Sequence, residues 1–170
     1  MIVRGYDGKE PRFGDRVFVA PNAAVLGDVV LGDDASIWFS TTVRGDCNYI
    51  RIGARTNVQD NCTIHVGHID SPTIIHEEVT IGHGAIVHGC TVHRGALIGM
   101  GSRVLDKAVI GENALIGAGA LVPEGMIVPP RVLVVGVPAR VKRPLTGDEV
   151  ARLEESWRLY VEYKDKYLMT

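Results

Sequence analysis

Three histidines, His65, His83 and His88, are the side chains of this chain best suited by type and spacing to hold a metal ion. Neutral imidazole is the commonest protein ligand for zinc-like metals. Three imidazoles with an open fourth position are typical of catalytic zinc sites, whereas structural zinc is usually closed by four protein ligands. The three histidines therefore predict a metal centre that leaves room for a small substrate.

The segments that must position these histidines repeat with a period of six residues, which is typical of a solenoid of short parallel strands. Glycine is abundant, at 20 residues, and aromatic residues make up only 6% of the chain, as a narrow solenoid interior requires. Each coil can bury its aliphatic residue only against the coils above and below it, so the chain must stack. The pattern predicts an all-β solenoid, a left-handed parallel β-helix of hexapeptide repeats. The unbroken run in the second half consists of Val92, Ile98, Val104, Ile110, Ile116 and Val122.

The same six-residue step occupies the first half from Val25 to Val43, slips by three residues around residues 48–51, and resumes at Ile52. We expect a single domain over residues 1–170, with an N-terminal cap over 1–24, β-helix coils over 25–128, an exit loop over 129–146 and a C-terminal helix over 147–168. A loop over residues 66–73 interrupts the coils. Thr146 and Glu149 form a capping box, and the apolar stripe that follows predicts an α-helix packed along the outside of the solenoid.

The coil count suggests how the three histidines are arranged. A triangular solenoid uses about three hexapeptides per turn. Counting from Ile64 puts Ile86 one full turn later on the same wall, so His65 and His88 can meet on adjacent rungs. His83 belongs to the preceding wall and cannot easily turn the corner to join them. A second chain could supply it, which suggests a site at a subunit interface and a cyclic trimer as the natural closure.

The remaining histidines are weaker candidates as metal ligands. His76 precedes two glutamates and His93 occupies a corner position usually held by glycine, so we expect both at the surface. His68 lies in the loop over residues 66–73, where the six-residue repeat is absent. A mobile imidazole near a metal-bound water can carry protons, so His68 is the candidate proton carrier.

Composition and charge exclude several classes of partner. The net charge is −2, with charges mixed along the chain, so no nucleic-acid-binding surface is expected. The longest apolar stretch, residues 132–135, is far too short to span a membrane, and residues 1–7 lack the apolar run of a signal peptide. The three cysteines, at uneven spacings, are expected to be free thiols. These observations predict a cytoplasmic protein.

Several short sequence motifs resemble those of the γ-class carbonic anhydrases and their homologues. The similarity covers essentially the whole chain, including the exit segment and the terminal helix. The motif Val135-Gly136-Val137-Pro138-Ala139 in the exit segment is less specific, because hexapeptide acyltransferases share it. The motifs on which the resemblance rests are Val43-Arg44-Gly45-Asp46, Thr56-Asn57-Val58-Gln59-Asp60-Asn61, His65, Ile81-Gly82-His83-Gly84 and Val87-His88-Gly89.

The resemblance implies a lyase that hydrates carbon dioxide to bicarbonate by metal-bound hydroxide. The family is trimeric, and its equivalents of His65 and His88 from one subunit and His83 from the neighbour bind zinc, cobalt or iron. Of these ions, zinc is the one we expect here. Other implied roles are hydrogen bonding to the hydroxide or bicarbonate by Gln59, positioning of oxygen ligands by Asn57, an interfacial ion network of Arg44, Asp46 and Asp60, and contact with the bicarbonate pocket by Tyr160.

The proton-transfer step is where the sequence departs from the best-studied branch of the family. That branch has a glutamate where this chain has Cys47, and an acidic loop where residues 66–73 offer only His68 and Asp70. Hydration is therefore expected to be slow, or the site serves another reaction. The alternatives are an acyltransferase or thioesterase acting on coenzyme A esters on the same fold, and a non-catalytic trimeric scaffold.

Overall fold

Short parallel strands wind the chain into a three-sided β-solenoid of about seven turns, and a C-terminal helix packs against it. The structure is a computed structural model and describes residues 1–169. The strands are β1 Ile2–Arg4, β2 Arg12–Phe13, β3 Phe18–Val19, β4 Ala24–Leu31, β5 Ser36–Ile37, β6 Thr42–Ile52, β7 Asn57–Val58, β8 Thr63–His65, β9 Thr73–Ile75, β10 Thr80–Ile81, β11 Ile86–His88, β12 Thr91–Val92, β13 Leu97–Ile98, β14 Arg103–Val104, β15 Val109–Ile110, β16 Leu115–Ile116, β17 Leu121–Val122, β18 Ile127–Val128, β19 Val132–Gly136 and β20 Ala139–Pro144; the helix is α1 Gly147–Leu168.

Strands of successive turns pair in parallel and form the three walls of the solenoid. Wall 1 contains β1, β8, β11, β14 and β17, wall 2 contains β2, β9, β12, β15 and β18, and wall 3 contains β3, β5, β7, β10, β13, β16 and β19. The longer strands β4 and β6 turn the corner between walls 1 and 2 and belong to both. Across residues 1–169, walls 1 and 2 therefore merge into one 12-stranded sheet, and wall 3 with β20 forms an 8-stranded sheet.

The residues of the six-residue repeat fill the interior, which confirms the predicted fold. On wall 1, Val43, Ile64, Val87 and Val104 lie directly above one another and are fully buried. The aliphatic residues at six-residue steps on the other walls are buried in the same way, Ile98 and Ile110 among them. Close packing between rungs thus supplies the hydrophobic core that a single coil could not form.

The coils extend beyond the expected bounds at both ends. Ile2 pairs with Ala24 and Phe18 pairs with Ser36, so the segment expected to be a cap is itself a first turn. At the other end Leu133 pairs in parallel with Leu115, and the last turn continues to Gly136 before β20 returns antiparallel. Long corner segments between β1 and β2 hide the six-residue repeat in the first turn, although its strands still stack.

The corner between walls 1 and 2 carries two insertions. Gly27 pairs with Gly45, but the next pair is Val29 with Ile50, so the bulge at 46–49 corresponds to the predicted three-residue slip. One turn later the chain leaves β8 and loops out over residues 66–72 before β9. The hydrogen bond from Asn48 Nδ2 to the carbonyl of Ile69, at 3.3 Å, joins the bulge to the loop. Chemically useful side chains therefore project from this corner without disturbing the walls.

Helix α1 begins at the predicted capping box, in which Thr146 and Glu149 each accept a hydrogen bond from the other's backbone amide. Its buried face lies against wall 3 and includes Lys164, whose side chain is 0% exposed. The Lys164 ammonium lies 2.7 Å from Asp34 Oδ1 and 2.5 Å from Asp165 Oδ1, so an ion network fixes the helix to the solenoid. Among the described residues, no helix combines the length and the apolar character needed to cross a bilayer.

Candidate metal centre

His65 and His88 lie directly opposite each other at the ends of neighbouring wall-1 strands. The register pairs His88 with His65 and Val87 with Ile64. The sequence had suggested Ile86 as the partner of Ile64, so that expectation was wrong by one residue. His65 Nδ1 lies 3.1 Å from His88 Nε2. Two nitrogens bound at 2.0–2.1 Å to one tetrahedral zinc ion would be roughly 3.3 Å apart. The two imidazoles are therefore spaced as ligands of a single ion.

Each of the three candidate histidines has its second ring nitrogen against a carboxylate. His65 Nε2 lies 3.0 Å from Asp46 Oδ1, and His83 Nδ1 lies 2.7 Å from Asp60 Oδ2.

His88 Nδ1 contacts the carboxylate of Asp106 in the same manner. Metal-binding histidines almost always donate this second N–H to a carboxylate, a carbonyl or water, which fixes the tautomer and the ring orientation. If His65 and His88 both donate to their carboxylates, their facing nitrogens are both lone pairs, an arrangement that suits a cation between them. The donor set thus fits a zinc-like ion.

His83 occupies the opposite edge of wall 1. It follows β10 at the corner between walls 3 and 1, whereas His88 ends β11 at the corner between walls 1 and 2. Five residues separate them in sequence, a path of up to about 16 Å in extended chain. Within residues 1–169, the group of three ligand atoms that lie close enough for one ion joins Asp46, Cys47 and His65, without His83. The structure therefore brings together two of the three predicted ligands within one chain.

Asp46 makes three polar contacts at the wall 1–2 corner. Its carboxylate pairs with the Arg44 guanidinium, accepts the amide N–H of Cys47 at 2.9 Å and contacts His65. Partial burial alone would raise the pKa of Asp46, but the hydrogen bonds from His65, the Cys47 amide and Arg44 together lower it to about 2. Asp46 therefore stays ionised at any physiological pH. Of the expected network, this chain forms the pair of Arg44 and Asp46, while Asp60 pairs with His83 instead.

Gln59, Asn57 and Tyr160 gather around His83. Gln59 Oε1 accepts the His83 amide N–H at 3.2 Å, and Gln59 Nε2 donates to Asn57 Oδ1, also at 3.2 Å. The Tyr160 hydroxyl lies 3.5 Å from His83 Nε2. Burial, and then the charge of Asp60, raises the pKa of Tyr160 to about 12, so the hydroxyl keeps its proton. These side chains form a second half-site on wall 3, separate from His65 and His88.

The other histidines lie where the sequence suggested. His68 is exposed on the loop over residues 66–72, at the same corner as His65 and His88. His76 and His93 pair on adjacent turns at the corner between walls 2 and 3, with their rings stacked at 4.9 Å between centroids. Both are partly exposed. They lie at a different corner from the candidate ligands.

A cavity of about 410 Å³ opens beside His83 on the outer face of wall 3. Its apolar lining includes Leu97, Met100 and Leu115, and Gln59 lies at its polar end with His83. A second cavity, of about 390 Å³, is lined by Tyr160 and mainly by other aromatic residues. A small molecule therefore has access to the wall-3 half-site in the isolated chain.

Asp106, whose carboxylate contacts the candidate ligand His88, was not predicted from the sequence. It lies 18 residues after His88, one uninterrupted turn of the solenoid. Asp46 lies 19 residues before His65, which is again close to one turn. Searching one turn away from each histidine for an acidic residue would have identified these carboxylates from the sequence alone.

Comparison with known proteins shows that the chain is similar to hexapeptide-repeat proteins and to carbonic anhydrases. A family profile described as bacterial transferase hexapeptide (six repeats) matches residues 89–124. A carbonic anhydrase of Geobacillus kaustophilus (strain HTA426) is 49% identical over 166 residues, covering 98% of this chain and 91% of the relative. Protein YrdA of Escherichia coli (strain K12) is 42% identical over 173 residues, covering 98% and 94%. The crystal structure of a hexapeptide transferase family protein from Anaplasma phagocytophilum superimposes with a TM-score of 0.94 at 40% identity, covering 98% of each chain.

Proposed function

We propose that this chain, which belongs to the γ-class carbonic anhydrase family, converts carbon dioxide and water to bicarbonate and a proton at a metal centre between subunits of a homotrimer. The observation that carries the proposal is the set of three histidine–carboxylate contacts, with His65 and His88 facing each other at 3.1 Å. The carbonic anhydrase of Geobacillus kaustophilus, at 49% identity, supports the same activity.

The residues that would hold the ion are His65 and His88 of one subunit and His83 of the next. Three imidazoles suit zinc, and they also suit iron and cobalt. When bound, such an ion supplies Lewis acidity that lets water react with carbon dioxide near neutral pH. The separation of His83 from the other two by wall 1 is what favours a shared site, because a cyclic trimer presents one edge of each solenoid to the other edge of its neighbour.

The chain's own side chains orient the reactants. Asp46 and Asp60 fix the tautomers of His65 and His83, and their contacts of 3.0 and 2.7 Å limit rotation of the rings. Gln59 is held by two hydrogen bonds, to His83 and Asn57, so its amide is preorganised to bind substrate oxygens. Tyr160 keeps its proton and is available as a donor to an anionic product.

Export of the proton is assigned to His68. Its imidazole is exposed on the loop over residues 66–72, at the corner that carries His65 and His88. Cys47, on the neighbouring bulge, is a poor substitute for a carboxylate because a thiol accepts a proton well only as the thiolate. The single loop imidazole makes proton export the expected slow step.

The test is metal analysis of protein purified anaerobically, followed by a carbon dioxide hydration assay with zinc, iron or cobalt restored. We expect close to one ion per chain and hydration with at least one of the metals. His88→Ala should abolish both metal content and hydration. The matched control is His93→Ala, which removes a partly exposed histidine from the neighbouring wall and should change neither quantity. Fully metallated wild type without hydration at any buffer concentration would contradict the proposal.

A second candidate function is acyl transfer from, or hydrolysis of, coenzyme A esters. The apolar cavity of about 410 Å³ beside His83 is the observation that favours it, since its walls suit an acyl chain better than carbon dioxide. The transferase family profile over residues 89–124 agrees with it. Acyl transfer that survives complete removal of metal by chelation would support this function over hydration.

A further inference from the structure

We infer that Asp106 is a positioning residue for the metal centre, holding His88 so that its Nε2 lone pair faces His65. The inference rests on the proposed function for the identity of the bound group, but the geometry is a property of the chain itself. Asp106 follows β14 on the turn above His88. Because Val104 pairs with Val87, Asp106 is level with Gly89 and reaches back one rung to His88 Nδ1.

Two glycines leave the space that the Asp106 carboxylate occupies. A Cβ added to Gly89 would lie 2.7 Å from Asp106 Oδ1, and one added to Gly67 would lie 2.8 Å from Oδ2. Both distances are shorter than a normal contact, so a larger residue at position 89 would require the carboxylate to shift, and one at position 67 would also meet Ser71 Cβ at 2.5 Å. Gly89 also adopts a φ of +55°, which favours glycine. An aspartate that pointed into solvent would need no such cradle.

Asp106 has fewer competing contacts than the other two carboxylates. Asp46 also binds Arg44 and the Cys47 amide, and Asp60 also accepts the amide of Phe39. The adjacent cation, Lys107, lies 3.0 Å from Asp70 instead. Among the described residues, His88 is therefore the hydrogen-bonding partner of the Asp106 side chain. Changing Asp106 alters the support of one ligand and leaves the interfacial ion pair of Arg44 intact.

The chemical consequence concerns the tautomer of His88. Neutral imidazole carries its proton on either nitrogen, and a carboxylate beside Nδ1 selects the tautomer with the proton there. The Nε2 lone pair is then directed at His65 Nδ1, 3.1 Å away. Without Asp106 part of the population would carry the proton on Nε2, which cannot bind a cation until that proton leaves. Loss of such an outer contact typically weakens metal binding about 10–100-fold.

The first measurement is the affinity for zinc alone, by competition with a chelator, for wild type, Asp106→Asn, Asp106→Ala and the control Asp70→Asn. Asp106→Asn preserves the shape that fits the glycine cradle and guards against misfolding of the alanine variant. Asp70→Asn removes a carboxylate from the same corner and frees Lys107 without touching His88. We expect weakening of about 10-fold for asparagine, up to about 100-fold for alanine, and wild-type affinity for the control.

The second measurement reads the tautomer without metal. In a His65→Ala background no facing imidazole shares a proton with His88, so ¹⁵N NMR of the histidine rings above pH 8 reports the effect of Asp106 on His88. We expect the Nδ1–H form in His65→Ala and a shift toward Nε2–H when Asp106→Ala is added. An unchanged tautomer, or a zinc affinity within about threefold of wild type in both Asp106 variants, would overturn the inference.

The two measurements separate this inference from the proposed function. Protein that binds zinc tightly but hydrates no carbon dioxide would contradict the function, and the losses on changing Asp106 would still support the positioning role. Active enzyme whose Asp106→Ala form binds zinc normally would contradict the positioning role alone.

Discussion

Two variants that are each inactive should restore part of the activity when they assemble into one trimer. His83→Ala keeps the pair of His65 and His88, and His88→Ala keeps His83. In a cyclic trimer each proposed site takes the pair from one subunit and His83 from the next. A site is therefore complete wherever a His83→Ala subunit is followed by a His88→Ala subunit.

The expected magnitude follows from the cyclic order. Any ring of three that contains both kinds of subunit has one junction of the productive order, so it rebuilds one site of three. Mixed trimers isolated by two different affinity tags should thus regain about one third of the wild-type metal content and hydration rate. The fraction is the same for either ratio of the two subunits in the ring.

The structure supplies a matched control. His65→Ala and His88→Ala each remove one member of the pair that lies within a single chain at 3.1 Å. Mixed trimers of these two variants contain no complete pair, so they should show no recovery. Recovery in neither mixture, with mixed trimers verified by native mass spectrometry, would refute the shared site. Equal recovery in both mixtures would show that the histidines are not divided between subunits in this way.

Three further predictions concern stability and proton transfer. Asp34→Asn leaves the fully buried Lys164 with Asp165 as its remaining carboxylate, so the free energy of unfolding at pH 7 should fall by up to about 3 kcal/mol, measured with denaturant. Burial alone would raise the pKa of Asp34, but the hydrogen bonds and charges of Lys164 and Arg16 have the larger effect and hold the pKa below its usual 3.8. The wild type should therefore lose this stabilisation as the pH falls below about 4, while the variant shows a flatter profile; equal profiles would contradict the ion network. His68→Ala should lower turnover in dilute buffer, leave kcat/KM nearly unchanged and be rescued by imidazole, and a wild-type rate in dilute buffer would reject the assignment. Ile98→Ala, at a fully buried site, should cost about 2–5 kcal/mol, and a loss below about 1 kcal/mol would mean that the interior collapses around the cavity.

The sequence predicts the walls well because one physical requirement governs every rung. Val43, Ile64 and Val104 must each cover the residue below, so a six-residue repeat specifies burial, strand direction and stacking together. The same rule fails at the ends, where the first turn from Ile2 is stretched by long corner segments. The coil count also placed Ile86 where the structure has Val87, although Val87 is the residue that follows the buried Ile81 by the regular six positions.

The sequence pointed to the three candidate histidines and to Asp46 and Asp60, but not to Asp106 or to the pairing of each histidine with a carboxylate. A histidine is a candidate ligand by its residue type alone. Aspartates are common on any surface, and one can be recognised as a partner of a histidine only when it lies one turn away in the solenoid. His88 and Asp106 are 18 residues apart, and His65 and Asp46 are 19 apart, so the relation appears only once the length of a turn is known. The separation of His83 from His65 and His88 within one chain could be predicted because it depends on the order of the walls and not on side-chain detail.

The stacking distance of the solenoid also explains why a site of this kind can be built at a corner. Neighbouring rungs are about 4.8 Å apart, which is the distance over which an imidazole and a carboxylate from successive turns can hydrogen-bond. Neighbouring rungs place His65 and His88 in line at the end of wall 1, Asp46 reaches His65 from the bulge on the rung before, and Asp106 reaches back to His88 from the rung beyond. The bulge at 46–49 and the loop at 66–72 add residues around this line without moving the strands. The insertions can therefore vary the side chains near the site, the proposed proton carrier His68 among them, while the stacked walls keep His65 and His88 in register.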